Sequence, residues 1–340
     1  MFKNCVLVLC SIVAALLVCE LILGRLPHAS TYERKIEVTV PEPKCYGNCY
    51  TSNPNGYFPI TLTVPNSMET LYCIAYSCQQ RKDGFFQDRS KEIFIVGDSF
   101  TFGEGAKEED SLGYLLGLTF TQYNFRNWGE TAADLNRVSQ IAKTIYEDPA
   151  QAHRGHIIYF YNLNDMAMAP SIANKQKYIT DFENLRWTNV PAPSPLDQWL
   201  SHSALYRLFK KVTLLNRETG LTIHNYLDMY FANENAVEFR RTIDTLKTMN
   251  SQARAHGVNF TMVIYPLLYK DMWGHYPFMP IHEQLMKICH DNQINCIDGY
   301  NAFKDAPSLQ VFTVHPVDFH PNSLANRRMV DYLKSQLDLK

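Results

Sequence analysis

Four short clusters in this 340-residue chain carry the residue types that acyl chemistry uses. Gly97-Asp98-Ser99 closes an apolar run, EIFIV. A serine at a strand-to-helix turn presents its hydroxyl at the carboxyl edge of a sheet, although Gly, Asp and Ser are also ordinary turn residues. The cluster is not the G-x-S-x-G elbow, because Thr101 stands at the second glycine position. Asp318-Phe319-His320 lies near the C-terminus. A serine hydroxyl is a weak nucleophile until a base takes its proton, and the base needs a third group to fix its tautomer. A carboxylate two residues before the histidine can reach the imidazole in a tight loop; a surface loop that happens to hold both is the plainer reading. Asn127-Trp128-Gly129 and Asn162-Leu163-Asn164-Asp165 offer donors for a developing oxyanion. A glycine lets backbone N–H approach a substrate closely, and an asparagine amide donates without competing as a base. Their plain readings are a turn glycine and a loop or capping asparagine.

The elements that must position these clusters alternate. EIFIV (92–96), YNFRNWG (123–129), HIIYFYN (156–162), VNFTMVIYP (258–266) and INCID (294–298) read as short strands. SLGYLLGL and the segment 131–148 read as helices, the latter with Ala133, Leu135, Val138, Ile141, Ala142 and Ile145 at helical spacing. Further helices are expected near 236–256, near 281–292 and after His320-Pro321-Asn322, where Pro321 and Asn322 suit a first turn or a cap. Strands alternating with helices predict an α/β fold, a three-layer α/β/α sandwich on a parallel sheet of about five strands. Ligands in such folds bind at the carboxyl ends of the strands, and each of the four clusters is expected just after a strand. The alternation pauses between about 167 and 235, where PAPSP and the amphipathic SALYRLFKKVTLL predict a helical insertion or cap. The domain body is therefore expected over 91–340, preceded by a Pro-, Gly- and Asn-punctuated region at 25–90 with one alternating stretch, ITLTV.

Residues 1–24 differ in kind. After Lys3 the sequence NCVLVLCSIVAALLVCELILG is nearly continuous apolar chain, long enough to span a bilayer. No small-x-small cleavage site follows it closely, and Leu17-Val18 does not prepare Cys19 for lipidation, so an uncleaved signal anchor is the expectation. Lys3 on one side and Arg25, Arg34 and Lys35 on the other leave the positive-inside count undecided. Outside this run the cysteines fall in close pairs: Cys45 and Cys49, Cys73 and Cys78, Cys289 and Cys296. Such a set predicts disulfides in an oxidising compartment, with the pairing open; free thiols and a zinc site from the first four are the rivals, and no histidine supports zinc. A very short N-terminal tail then puts the body outside the cytoplasm, in the periplasm or beyond the cell. The net charge of −2 offers nothing for nucleic acid.

In their order, G-D-S, N-x-G, N-D and D-x-H-P-N, the clusters resemble the blocks of the SGNH/GDSL hydrolase family, over roughly 91–338; IVGDSFTFGEG is similar to membrane-anchored bacterial members. The resemblance implies Ser99 as nucleophile, His320 as base and Asp318 as its orienting acid. It implies an oxyanion hole from Ser99 N–H, Gly129 N–H and the Asn164 side-chain amide. Asn162 departs from the family's usual glycine. No metal or organic cofactor is implied. The expected partner is an ester, above all an O-acylated, and especially an O-acetylated, envelope or extracellular glycan; relatives that O-acylate exopolysaccharides imply a transferase alternative and polysaccharide-synthesis partners. A non-catalytic glycan-binding relative is the third reading. His275 and His282 could line the pocket, and Tyr269, Trp273 and Tyr276 could form a sugar-stacking rim, with ordinary packing as the plainer reading. His153, His156, His256, His290 and His315 show no partner pattern.

Overall fold

The computed structural model describes residues 2–23, 36–39, 46–51, 71–74, 82–103, 106, 108–130, 133–147, 154–166, 195–200, 203, 205–206, 223–269, 274–315 and 318–339. The apolar N-terminal run forms one helix, α1 (Phe2–Leu23). The side chains described in it, Val8 and residues 11–22, are exposed apart from the half-buried Glu20. Among the described residues no helix is long and apolar enough to cross a membrane. Beyond it, β1 (Ile36–Thr39), β2 (Tyr46–Thr51) and β3 (Leu71–Ile74) make a small antiparallel sheet that the turn-rich sequence did not announce. The strand expected at ITLTV lies outside the described residues.

The main sheet is built from the apolar runs. It comprises β4 (Lys91–Gly97), β5 (Tyr123–Asn127), β6 (Arg154–Asn162), β7 (Asn259–Tyr265) and β8 (Asn295–Asp298), all parallel, in the order β5-β4-β6-β7-β8. Neighbouring residues of a strand point to opposite faces. Phe94 and Ile95, like Tyr159 and Phe160, are fully buried, so both faces of the sheet are covered. That is why these strands read as continuous apolar runs rather than alternating ones. The covering helices are α3 (Leu112–Thr119), α4 (Leu135–Glu147), α7 (Ala236–Ala255), α8 (Met279–Asp291) and α9 (Ser323–Leu333); α4 packs on α7, and α3 on α9. In α4 the predicted stripe from Leu135 to Ile145 is the buried face. Three further helices are the short α2 (Ser99–Phe102), α5 (Pro195–Leu200) and α6 at 223–231. The interval read as an insertion includes α5 and α6 among its described residues.

The first main strand, β4, lies between β5 and β6, so the sheet grows to one side and then the other. The crevice at the carboxyl ends of β4 and β6 is the topological switch point, where open α/β sheets bind ligands. Far from it, the Cys289–Cys296 disulfide ties the end of α8 to β8. Cys49 and Cys73 stand opposite each other in the β2–β3 register, whereas the sequence grouped each with a nearer cysteine; Cys45 and Cys78 lie outside the described residues.

Candidate active site

The chain leaves β4 through Gly97-Asp98-Ser99 and turns at once into α2 (Ser99–Phe102). Gly97 has φ +156°, and a Cβ there would stand 2.7 Å from the Phe160 carbonyl oxygen, so only glycine lets β4 end this close to β6. Asp98 is the helix cap: its side chain accepts Phe100 N–H at 2.9 Å. Ser99 therefore begins a helix at the switch point, with an N–H that first-turn position leaves without an intrahelical acceptor. The residue is 8 % exposed.

The partner of Ser99 comes from the other end of the chain. β9 (Thr313–His315) and β10 (Asp318–Pro321) form an antiparallel hairpin beside the sheet. His320 Nε2 lies 2.9 Å from Ser99 Oγ. The imidazole packs on Phe100, with ring centres 5.4 Å apart, and the neighbouring Phe319 meets Tyr269 edge-on at 4.9 Å. Asn322 fixes the hairpin to α9. Its Oδ1 accepts Leu324 N–H and Ala325 N–H, both at 3.0 Å. Its amide donates to the Val311 and Thr313 carbonyls at 2.9 and 3.0 Å. Asp318 opens β10, opposite His315 in the ladder and two residues before His320.

The other two clusters border the same crevice. After β5 the chain stays beside β4: Trp128 N–H donates to Ile95 O at 2.8 Å and Glu130 N–H to Gly97 O at 3.0 Å. A Cβ on Gly129 would stand 2.4 Å from Phe102 N, so glycine is required for this loop to lie against α2. The Gly129 N–H has a partner within its own loop. That group donates to Asn127 Oδ1 at 2.9 Å, an Asx turn, while Asn127 Nδ2 holds Thr101 O at 2.8 Å. At the end of β6, residues Leu163–Asp165 make one 3₁₀ turn. Leu163 and Asp165 are fully buried, and Asn164 between them is exposed. Asp165 Oδ2 accepts Asn162 N–H at 3.1 Å and Tyr159 O–H at 2.9 Å. Burial, and then the Asp98 charge, push the Asp165 carboxyl well above the usual range, against the pull of those two donors.

No family model matches the chain. No curated protein matches it either. Solved structures do. It is similar to a lipolytic protein of the G-D-S-L family from Desulfitobacterium hafniense DCB-2, at 17 % identity and a TM-score of 0.41 over 73 % of this chain and 99 % of the other. A G-D-S-L lipolytic protein from Veillonella parvula DSM 2008 shares 16 % identity at a TM-score of 0.41, over 72 % of this chain and 96 % of its own. The acetyl xylan esterase AlAXEase shares 11 % at 0.42, over 73 % of this chain and all of its own, 100 %.

Several residues that shape the crevice were not singled out from sequence. Tyr159 and Tyr161 share one face of β6. Tyr159 holds Asp165, and Tyr161 Oη lies 2.6 Å from Tyr230 Oη in α6. Their alternation in HIIYFYN was visible, but buried phenols in a strand read as core. The segment after β7 is packing in its described part: His282 is fully buried, with Nδ1 2.7 Å from Asp298 Oδ1 and Nε2 2.9 Å from Tyr276 Oη. Tyr269 and Tyr276 are buried as well, so neither stands as an open stacking rim; Trp273 lies outside the described residues. His275 is exposed. Among the described residues no group of His, Cys, Asp and Glu could hold a metal ion.

Proposed function

We propose that the chain is a serine-dependent acyl-ester hydrolase that works through an acyl-Ser99 intermediate. The observation that carries this reading is the Ser99 Oγ to His320 Nε2 distance of 2.9 Å, closed across 221 residues of sequence at the switch point of the sheet. In the tautomer with the proton on Nδ1, the Ser99 hydroxyl donates to Nε2. As Oγ bonds to the ester carbonyl carbon, its proton passes to His320, and the carbonyl oxygen becomes an oxyanion. Ser99 N–H and the Asn164 amide are the donors set to meet it. Gly129 N–H joins them only by leaving Asn127 Oδ1. His320 then gives its proton to the leaving alcohol, and water repeats the sequence in reverse to free the acid. Asp318 is assigned as the orienting acid on its spacing from His320.

The substrate class is an O-acylated, above all O-acetylated, envelope or extracellular glycan. The chain acts from the membrane face, held by α1 as a single-pass anchor with the catalytic body in the periplasm or outside the cell. The nearly continuous apolar sequence of α1 and the Cys289–Cys296 disulfide support an anchored, oxidised setting. Transfer of the acyl group to a glycan hydroxyl would use the same groups with sugar in place of water. One experiment separates the readings. The full chain in detergent is assayed with an aryl acetate, with and without a glycan acceptor. Acceptor-independent release of acetate is the expected result. Acetate moving to the glycan would make the chain a transferase. No turnover, with glycan binding retained, would leave only a binding protein.

A further inference from the structure

The turn that presents Asn164 is tied to α6, an element well outside the four sequence clusters. Tyr230 in α6 is 3 % exposed, and its O–H donates to the Leu163 carbonyl at 2.9 Å. Tyr161 of β6 lies 2.6 Å from Tyr230 and is fully buried. Because Tyr230 spends its proton on Leu163 O, Tyr161 must be the donor between the two hydroxyls, which fixes the order Tyr161 O–H to Tyr230 O–H to Leu163 C=O. Burial pushes both phenols above their ordinary range, so both keep their protons across the working pH of an enzyme. Consecutive hydrogen bonds of one sense strengthen each other in a low-dielectric interior.

The rest of the turn is held from the other side. Tyr159 and Asn162 N–H secure the Asp165 carboxyl group, so Asn164 sits between one residue tied through its carbonyl and one tied through its side chain. A 3₁₀ turn has poorer internal hydrogen bonding than an α-helix, and its geometry depends on such outside ties. We infer that Tyr230 is a positioning residue: through Leu163 O it sets where the Asn164 amide points, and it thereby couples the insertion to the oxyanion site. This rests on the esterase reading for its catalytic consequence, though not for the tether itself.

The test is a double-mutant cycle on the full chain with an aryl acetate. Asn164→Ala removes the amide. Tyr230→Phe keeps the ring and removes the tie to Leu163. If Tyr230 acts through Asn164, Tyr230→Phe lowers kcat by about ten- to a hundredfold with KM changed less than about twofold, the size expected for a small misplacement of a catalytic group. In the Asn164→Ala background the same change then costs less than about twofold. Tyr161→Phe, which leaves Tyr230 bonded to Leu163, should give a smaller loss that also vanishes with Asn164→Ala, and it serves where Tyr230→Phe fails to fold. Equal losses in both backgrounds, or no loss, would overturn the inference. Hydrogen exchange gives a readout independent of turnover. Tyr230→Phe should raise exchange in the peptide spanning 162–166 and leave the peptide of α9 unchanged; unchanged exchange at 162–166 would refute the tether. A wild-type chain that hydrolyses no ester refutes the esterase reading instead, with the exchange result still deciding the tether.

Discussion

The two halves of the crevice are held by different physics. The turn after β6 is fixed from beneath. Leu163 and Asp165 are fully buried and tied by phenols of β6 and α6. The hairpin that carries His320 is fixed from its ends. Its ties include backbone pairing between β9 and β10, the ring contacts of Phe319 with Tyr269 and of His320 with Phe100, and Asn322, which reaches both the hairpin and the first turn of α9. His320 itself is half-buried. The lesson is that the turn carrying Asn164 is anchored in the core through its two buried neighbours, whereas the hairpin carrying His320 is held largely by shallower, local contacts that can loosen without unfolding the domain.

The strongest way to sharpen the contrast is to remove the contact where the halves meet. Ser99→Ala and His320→Ala should each lower kcat/KM on an aryl ester by about 10⁴–10⁶-fold, and the double variant should lose no more than either single one, because the two groups act as a unit. Multiplicative losses in the double variant would mean that the 2.9 Å contact is not a working pair. On the buried side, Asn164→Ala should lower kcat by about 10²–10³-fold. Since Asn164 is exposed while its neighbours are buried, stability should stay within about 0.5 kcal/mol of wild type. A large fall in the urea midpoint would show that Asn164 holds the turn rather than projecting from it.

Acid can weaken the buried half from its far end. His156 is the third residue of β6, with Nε2 2.7 Å from Thr261 Oγ1 on β7. Burial lowers its pKa to about 4, against a smaller upward pull from Asp338. Its unfolded value is about 6.5, so the unfolded chain binds the proton more readily between the two. The stability it contributes is therefore present above about pH 6.5 and is lost as pH falls toward 4, by up to about 3 kcal/mol. Urea midpoints at pH 7 and pH 4.5 check this. The difference should shrink in His156→Gln, and an equal difference in both proteins would assign the acid sensitivity to other groups.

How much of this was legible follows from the range of each interaction. The five main strands and their helices were readable because a strand buried on both faces must be apolar throughout, and α4 must show one apolar stripe. Ser99, His320 and the Asn322 cap were readable because each lies in a short motif next to an element boundary. The β9–β10 hairpin was read as a loop, since TVHPVDFHP holds two prolines, which donate nothing to a ladder. At Asn127-Trp128-Gly129 the glycine drew attention, yet the Asx turn that occupies its N–H was written in the asparagine two residues earlier. Tyr230 lies 67 residues from the carbonyl it holds, in a segment with no strand–helix rhythm, and no local pattern announces such a bond.

The finest test of the contrast is at Asn322, because two substitutions there separate its two jobs. Its Oδ1 caps α9, and its amide ties Val311 O and Thr313 O of the hairpin side. Asn322→Ala removes both and should cost about 1 kcal/mol of stability, the usual worth of a cap. Asn322→Asp keeps an acceptor for the Leu324 and Ala325 N–H groups and loses the two donations, leaving a carboxylate facing carbonyl oxygens. If the hairpin is held locally, as its shallow position suggests, kcat should fall a few-fold in both variants, while the cap-dependent stability of α9 returns in the aspartate form. Thermal unfolding and kcat on the same aryl ester would be measured for the pair. Full activity in Asn322→Asp would show that the β9–β10 ladder alone places His320, and the difference between the two halves of the crevice would then lie in depth rather than in the kind of bond that holds them.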